Sequence, residues 1–310
     1  MRVVVAGAGG VGALLGGMLA RAGEEVGFLA RGESLRALAE KGLVVDSPRG
    51  TFHLARVFAS DDPEKLRGAE VVLVAVKSWQ VRDLAPRLAP LLAPEGFAVP
   101  LENGVEAAEI LASALGRPRV VGGLCHLISF LEAPGRVKHT GERLEVTLGE
   151  LGGGASPRIE ALAGVMRKAG VDVVVSDDVE SALWKKFAFI APFGGVGAVT
   201  RAPAGVMRSI PETRSLLRSA IEEVLAVAAA RGVRLPPQTT ASVLNMIDSL
   251  GPDATASMQR DIIAGRPSEL DDQIGAVVRL GRSAGVRVPS HAFLLAALVP
   301  QEREARAKAR

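Results

Sequence analysis

Three glycines at fixed spacing, Gly7, Gly9 and Gly12, stand between two apolar patterns. Before them, Arg2 to Ala6 reads as a buried strand; after them, Leu14, Leu15, Met18 and Leu19 mark one face of a helix. A strand, a glycine turn and a helix in that order are the setting in which G-x-G-x-x-G binds a dinucleotide. Gly7 permits the tight turn, Gly9 lets the backbone approach a pyrophosphate, and Gly12 lets helix and strand pack closely. The phosphates would lie over the N–H groups of the helix start, with Gly7, Ala8, Gly9, Gly10, Val11 and Gly12 forming the cradle.

The end of the second strand bears on which dinucleotide is bound. That strand is Val26 to Leu29, and a site for a free ribose diol would carry an acidic residue near its end. Here Ala30-Arg31-Gly32 stands there, with Glu33 one step on. A guanidinium can pair with a 2′-phosphate through two hydrogen bonds, whereas a carboxylate repels it. Arg31 therefore favours NADPH, although a solvated loop arginine, with Glu33 turned to a ribose hydroxyl, is the competing reading.

Other polar residues fall at places that ask for a reason. Lys77 follows the apolar run Val71–Val76, where it either marks the strand's emergence into solvent or faces a ligand. Glu102-Asn103-Gly104 ends the next strand, and Asn-Gly is also ordinary turn chemistry. Lys185 and Lys186 interrupt an apolar helix between Trp184 and Phe187, where a lysine can simply snorkel. Ser257 precedes Met258, and Glu269 follows the loop Gly265–Ser268. Asp271 and Asp272 could serve as first-turn helix carboxylates. His53, His126, His139 and His291 show no metal-ligand spacing, and no serine sits in a nucleophile elbow.

The elements that must position these residues divide the chain in two. Up to Ser176, strands and helices alternate. The continuous run Val71–Val76 reads as a parallel strand covered on both faces. Gly42–Val45 and Phe52–Val57 read as a hairpin-like insertion, Val120–Gly123 and Cys125–Phe130 as a continuation of the sheet, and Val137–Thr140 and Leu144–Leu148 as strands near an edge. From Asp178 onward the pattern is helical: Val179–Pro192, Pro211–Arg231, Gln238–Leu250, Ala256–Ala264, Leu270–Ala284 and Ser290–Lys308. The expected fold is an α/β Rossmann-type nucleotide-binding domain over 1–176, followed by an all-helical domain over 177–310. In such a sheet, ligands gather beyond the carboxyl ends of the strands.

Composition narrows the class. A chain of 310 residues with 48% apolar content can bury a proper core in each half. The 37 basic against 34 acidic residues give a formal charge of +3, with no dense basic cluster and few aromatics. That balance suits small anionic ligands at least as well as nucleic acid and decides for neither; no nucleic-acid partner is expected. No apolar run reaches membrane-spanning length, and Met1 opens directly onto a core strand, so no leader is expected. A lone cysteine, Cys125, fits the reducing cytoplasm.

Taken together, the motifs resemble the ketopantoate reductase (2-dehydropantoate 2-reductase) family over essentially the whole chain. The matching elements are G-A-G-G-V-G at 7–12, A-R-G at 30–32, V-K-S-W-Q at 76–80 and E-N-G-V at 102–105. They continue with H-T-G at 139–141, W-K-K-F at 184–187, S-M-Q-R-D at 257–261 and S-E-L-D at 268–271. The resemblance implies NADPH-dependent reduction of ketopantoate to pantoate, for pantothenate and coenzyme A synthesis. It places the general-acid lysine at Lys186, its partner carboxylate at Glu269, and a substrate-binding serine at Ser257. Asn103 would hold the lysine or substrate beside the nicotinamide, and Lys77 would lie near cofactor and reacting centre. Asn103, Lys77 and Glu269 thus count for the cofactor as well as for the reaction. No metal is implied, and family members occur as monomers and homodimers.

One departure stands out. Family enzymes usually carry asparagines four and eight positions after the lysine, where this chain has Ile190 and Gly194, on either side of a helix-breaking Pro192. A hydrogen-bonding group facing substrate contributes on the order of 0.5–3 kcal/mol. A related branched 2-oxo acid is therefore an alternative substrate, and a non-catalytic NADPH sensor an alternative function.

Overall fold

The computed structural model describes residues 1–309. Two compact units emerge, one of Met1–Glu102 with Ala107–Val179, the other of Asn103–Glu106 with Glu180 onward.

The first unit contains strands β1 (Arg2–Ala6), β2 (Glu25–Leu29), β3 (Leu43–Asp46), β4 (Phe52–Leu54), β5 (Phe58–Ser60), β6 (Ala69–Val74), β7 (Leu92–Pro100), β8 (Val121–Ala133), β9 (Arg136–Glu150) and β10 (Asp172–Val175). Its helices are α1 (Gly10–Arg21), α2 (Gly32–Lys41), α3 (Val81–Leu88), α4 (Ala107–Leu115) and α5 (Pro157–Lys168). The first sheet runs β5-β2-β1-β6-β7, every pair parallel. Strand order reverses between β1 and β6, the switch point where doubly wound sheets bind ligands. Both faces are covered, which is why Val3–Ala6 of β1 and Val71–Val74 of β6 are unbroken runs of Val, Leu and Ala. Val3, Val5, Val71 and Leu73 enter one core, while Val4, Ala6, Val72 and Val74 enter another.

The second sheet differs from the sequence expectation. Val120 bridges Ala98 of β7, but from Val121 the chain leaves the first sheet and pairs antiparallel with β9. The two short strands expected near an edge are one strand of 15 residues at the centre of this sheet. β9 pairs with β8 on one side, and with both β3 and β10 on the other. The expected hairpin of β3 and β4 exists, but β3 also pairs with β9, so it is part of the sheet and not a free insertion. Its chain then returns to the first sheet as β5.

The second unit is helical: α6 (Val179–Thr200), α7 (Ala204–Ser209), α8 (Pro211–Ala230), α9 (Thr239–Ser249), α10 (Ser257–Ile263), α11 (Ala276–Ser283) and α12 (Pro289–Lys308). Pro192 does not break α6, which continues for eight further residues to Thr200. An interior proline removes one backbone hydrogen bond and costs roughly 3 kcal/mol. Packing outweighs that loss. Ala188, Ala191, Phe193 and Val196 are buried around it, and Phe189 stacks on Phe193 across the proline at 5.4 Å. The helix expected from Leu270 opens instead with a π-helical turn, Asp271–Gly275. No described helix is long and apolar enough to cross a membrane.

A buried carboxylate ties α8 to the start of α12. Glu223 of α8 accepts from the N–H groups of Ser290 (2.7 Å) and His291 (3.0 Å) at the start of α12. It also bonds the buried His291 ring at 2.8 Å. Burial alone would push the Glu223 carboxyl up; the bonds from His291 and Ser290 outweigh it and hold its pKa below the usual carboxylate range.

Candidate active site

The glycine turn of the first unit is built by close backbone contacts. Gly7 has φ +108°, and a Cβ there would lie 2.6 Å from the Ala75 carbonyl oxygen. A Cβ on Gly12 would lie 2.0 Å from the Gly7 oxygen, and one on Gly10 2.5 Å from the Ser129 oxygen of β8. Gly9 is different. It is extended, and a Cβ there would meet nothing nearer than the Ala75 oxygen at 3.9 Å. The fold has no need of glycine at position 9, so what its missing side chain leaves open is the approach to the helix start. No side chain caps α1, and no acidic residue stands in its first turn. These are the conditions under which a helix N-terminus receives a phosphate.

Two more predicted residues belong to this unit. Arg31 is exposed at the start of α2 and makes no capping hydrogen bond, and the exposed Glu33 lies in that helix's first turn. Lys77 is exposed just beyond β6; its N–H donates to Gln80 Oε1 at 3.3 Å, and its ammonium lies 5.7 Å from the Trp79 ring centre. The strand ends are held by Glu102, a residue to which sequence reasoning gave no role of its own. Its carboxylate is buried and accepts from the N–H groups of Val76 (3.2 Å) and Leu101 (3.1 Å). One side chain therefore fixes the exits of β6 and β7, immediately before Lys77 and Asn103.

The remaining candidates belong to the helical unit. On α6, Trp184, Phe187, Ala188 and Ala191 form the core face, with Trp184 and Phe187 edge to face at 5.8 Å. Lys185 is exposed; Lys186 is half-buried at the border of that face. Ile190 and Gly194 follow Lys186 at successive spacings of four, so the three lie along one stripe of the helix. A Cβ on Gly194 would stand 3.0 Å from Met258 Cε, 3.5 Å from Ala256 Cβ and 3.7 Å from Gln273 Oε1. Ser257, between two of those neighbours, is exposed at the first turn of α10.

Glu269 is buried, and Gln273 Nε2 donates to its Oε2 at 3.2 Å. The preceding Ser268 is clamped: its N–H and its hydroxyl both bond the buried Glu302 carboxylate, the hydroxyl at 2.5 Å. Arg306 completes the clamp, bonding Glu302 at 2.6 Å and the Ser268 carbonyl at 3.0 Å. The backbone that presents Glu269 is thus held from α12. Asn103 opens the short segment Asn103–Glu106, in which Gly104 takes φ +121°. Arg279 of α11 anchors the segment, bonding Glu106 and Asp271 at 2.8 Å each. Burial works against the Arg279 charge, but the two carboxylates outweigh it and raise its pKa. Asp271 is therefore an ion-pair partner as well as an early helical residue.

The structure thus divides the predicted residues between the units: the glycine cradle, Arg31 and Lys77 in the first, and Asn103, Lys186, Ser257 and Glu269 in the second. Comparison with known proteins matches the same two regions. The family described as ketopantoate reductase PanE/ApbA matches residues 3–153, and its C-terminal part matches residues 178–302. This chain belongs to the ketopantoate reductase family. It is similar to the 2-dehydropantoate 2-reductase of Mesorhizobium japonicum, at 30% identity over 96% of each chain. It is also similar to the oxidoreductase YkpB of Bacillus subtilis, at 29% identity over 93% of this chain and 95% of that one. Among solved structures, the ketopantoate reductase of Ralstonia eutropha JMP134 superposes with a TM-score of 0.90 at 33% identity, covering 99% of this chain and all of the other. Membership in this family makes the chain an oxidoreductase of the ketopantoate reductase type.

Two residues that matter to the site were not singled out from sequence. Glu102 stands in E-N-G-V beside Asn103, and Gln273 lies outside every matching motif. Neither carries a local signal: Glu102 stands at the end of an apolar run, and Gln273 follows two aspartates. Only the fold shows what each one reaches.

Proposed function

We propose that the protein is an NADPH-dependent 2-oxo acid reductase that converts ketopantoate (2-dehydropantoate) to pantoate. The observation that carries this reading is the face of α6 on which Lys186 lies, which leads at Gly194 to the Gln273–Glu269 pair. A lysine and a buried carboxylate served by one helix face are what a carbonyl reduction needs for its proton.

The glycine cradle and the uncapped start of α1 fit the pyrophosphate, and Arg31 fits a 2′-phosphate through its two-pronged guanidinium. The nicotinamide supplies the hydride to C2 of the oxo acid. As negative charge develops on the carbonyl oxygen, the Lys186 ammonium stabilises it and then releases a proton to it. This interaction is stronger with the oxyanion than with the ketone, so it lowers the barrier and does not merely tighten binding. Glu269 accepts a hydrogen bond from the hydroxyl being formed or orients the lysine. Ser257 and Asn103 hold the substrate, while Lys77 adds positive charge for its carboxylate.

A second substrate reading is favoured by one specific observation. Ile190 is apolar and Gly194 has no side chain, so the stripe beyond Lys186 offers no side-chain hydrogen bond of its own. That would suit a branched 2-oxo acid with an apolar tail. Steady-state turnover with NADPH or NADH, on ketopantoate and on 2-oxoisovalerate, separates the readings. Fast NADPH-preferring reduction of ketopantoate supports the first. Turnover of 2-oxoisovalerate with little of ketopantoate supports the second, and tight NADPH binding without turnover of either would leave only a sensor.

A further inference from the structure

Ketopantoate and 2-oxoisovalerate share their oxo acid and branched carbon and differ by one hydroxymethyl group. Discrimination between them needs a polar atom placed where that group would lie. The stripe of α6 does not provide one, because Ile190 is apolar and Gly194 ends at its Cα. The three heavy atoms nearest to a Cβ on Gly194 are two carbons and one oxygen, and the oxygen is Gln273 Oε1 at 3.7 Å.

The local backbone explains how Gln273 arrives there. Asp271–Gly275 is a π-helical turn, a geometry that widens the helix by one residue and recurs at functional sites. Within it Asp271 is exposed and paired with Arg279, while Gln273 is almost fully buried, with 2% of its surface accessible. The backbone N–H of Gln273 bonds the Glu269 carbonyl at 2.9 Å, and its Nε2 bonds the Glu269 carboxylate at 3.2 Å. Side chain and main chain are therefore both tied to Glu269. The bond also fixes the orientation of the amide. A carboxylate accepts only, so the end facing Glu269 is the NH2, and the carbonyl oxygen is the end toward Gly194.

We infer that Gln273 is a positioning residue for Glu269 and the specificity-determining side chain of this site, its Oε1 accepting a hydrogen bond from a hydroxyl on the substrate's tail. The inference rests on the 2-oxo acid reductase reading and names the group by which that site selects its substrate. A buried acceptor left without its donor penalises the substrate that lacks the hydroxyl, and a hydrogen-bonding site rejects such analogues far better than an apolar one rejects an extra group.

The test compares kcat/KM for ketopantoate and 2-oxoisovalerate, with pH profiles, NADPH affinity and Tm, in wild type, Gln273→Met, Gly194→Ala and Gln273→Met/Gly194→Ser. Gln273→Met keeps the length and burial but removes the amide. Its ketopantoate-to-2-oxoisovalerate ratio is expected to fall about tenfold or more, with a displaced pH profile and unchanged NADPH affinity. The added serine, which returns a hydroxyl beside the same space, is expected to recover part of the ratio. Gly194→Ala leaves Gln273 intact and presses only on the flexible Met258 tip. It is expected to raise KM for ketopantoate more than for 2-oxoisovalerate, so the inference does not hang on one variant folding. An unchanged ratio and pH profile in Gln273→Met, with or without a lower Tm, would assign the residue to packing alone and overturn the inference. If wild type reduces neither acid, the functional reading fails and this one falls with it. If wild type is active but the ratio is insensitive to Gln273 and Gly194, only this one falls.

Discussion

Helices α1 and α6 are both rich in glycine, and they are so for different reasons. At the start of α1, the atoms a Cβ would strike are main-chain atoms: the Gly7 oxygen at 2.0 Å from position 12, the Ala75 oxygen at 2.6 Å from position 7, the Ser129 oxygen at 2.5 Å from position 10. In α6 they are side-chain atoms: Met258 Cε from Gly194, Ile274 Cδ1 from Gly195, Gln259 Oε1 from Gly197. A main-chain atom cannot move without moving its strand, whereas a side-chain tip can rotate away. The glycine turn before α1 is thus fixed by the path of the backbone, and the glycine stretch of α6 is bounded by exchangeable side chains. Gly9 is the exception within that turn, since a Cβ there would meet nothing nearer than the Ala75 oxygen at 3.9 Å, and on the reductase reading proposed above its openness serves the cofactor.

The largest expected effect tests whether the substrate face holds the chemistry at all. Replacing Lys186 with Met should lower kcat by about 10²–10⁴-fold while leaving NADPH affinity unchanged. Single-turnover kinetics beside a cofactor titration would show it, and a loss confined to cofactor affinity would remove Lys186 from the chemistry. Next comes the contrast between backbone and side-chain glycines. Gly12→Ala should destabilise the protein by roughly 1–3 kcal/mol or more, and Gly194→Ala by less than about 1 kcal/mol. Urea unfolding of the two variants measures the difference, and equal costs would erase the distinction drawn here.

Within the cradle, Gly9→Val should preserve Tm yet weaken NADPH binding, because it covers the approach to the helix start without striking the fold. Equilibrium titration reads this directly. Arg31→Ala should weaken NADPH about tenfold to a hundredfold, as loss of a charge-assisted hydrogen bond predicts, with NADH affected little. Equal losses for both dinucleotides would move the 2′-phosphate contact elsewhere.

The smallest effect concerns Glu223, far from the chemistry in role. Its folded-state pKa is depressed, so its contribution to stability is present above the ordinary carboxylate pKa. That contribution is lost as pH falls through the depressed value. Unfolding free energies from urea titrations of wild type and Glu223→Gln should differ at neutral pH, by about 1–2 kcal/mol, and converge in acid. A gap that stays constant with pH would deny the carboxylate its charge-dependent role.

What the sequence disclosed follows from the range of the interactions involved. The turn at Gly7–Gly12 and the change to helices near residue 178 depend on neighbours a few positions apart, and both were legible. So was the interruption of an apolar helix by Lys185 and Lys186, though not which of the two borders the core face. The second sheet was less legible because β9 is interrupted by the exposed trio Gly141, Glu142 and Arg143, with Gly141 at φ +78°. That polar stretch reads locally as a break between two strands. Continuation of α6 through Pro192 was hidden because the stabilising packing comes from residues distant in sequence. The bonds of Glu102 across 26 residues, and the π turn that brings Gln273 to Glu269, likewise have no local signature.

The π-helical turn also bears on how such a chain could change over generations. Ile190 and Gly194 on α6 and Gln273 on the turn are three codons, and at Gly194 the surrounding atoms are side-chain tips and not main chain. Single-base changes there can add a methyl or a hydroxyl without touching the glycine turn before α1 or the clamp of Glu302 and Arg306 that presents Glu269. On the reductase reading proposed above, a lineage carrying this fold could therefore alter the groups beside Gly194 in small steps, each leaving a folded protein for selection to act on.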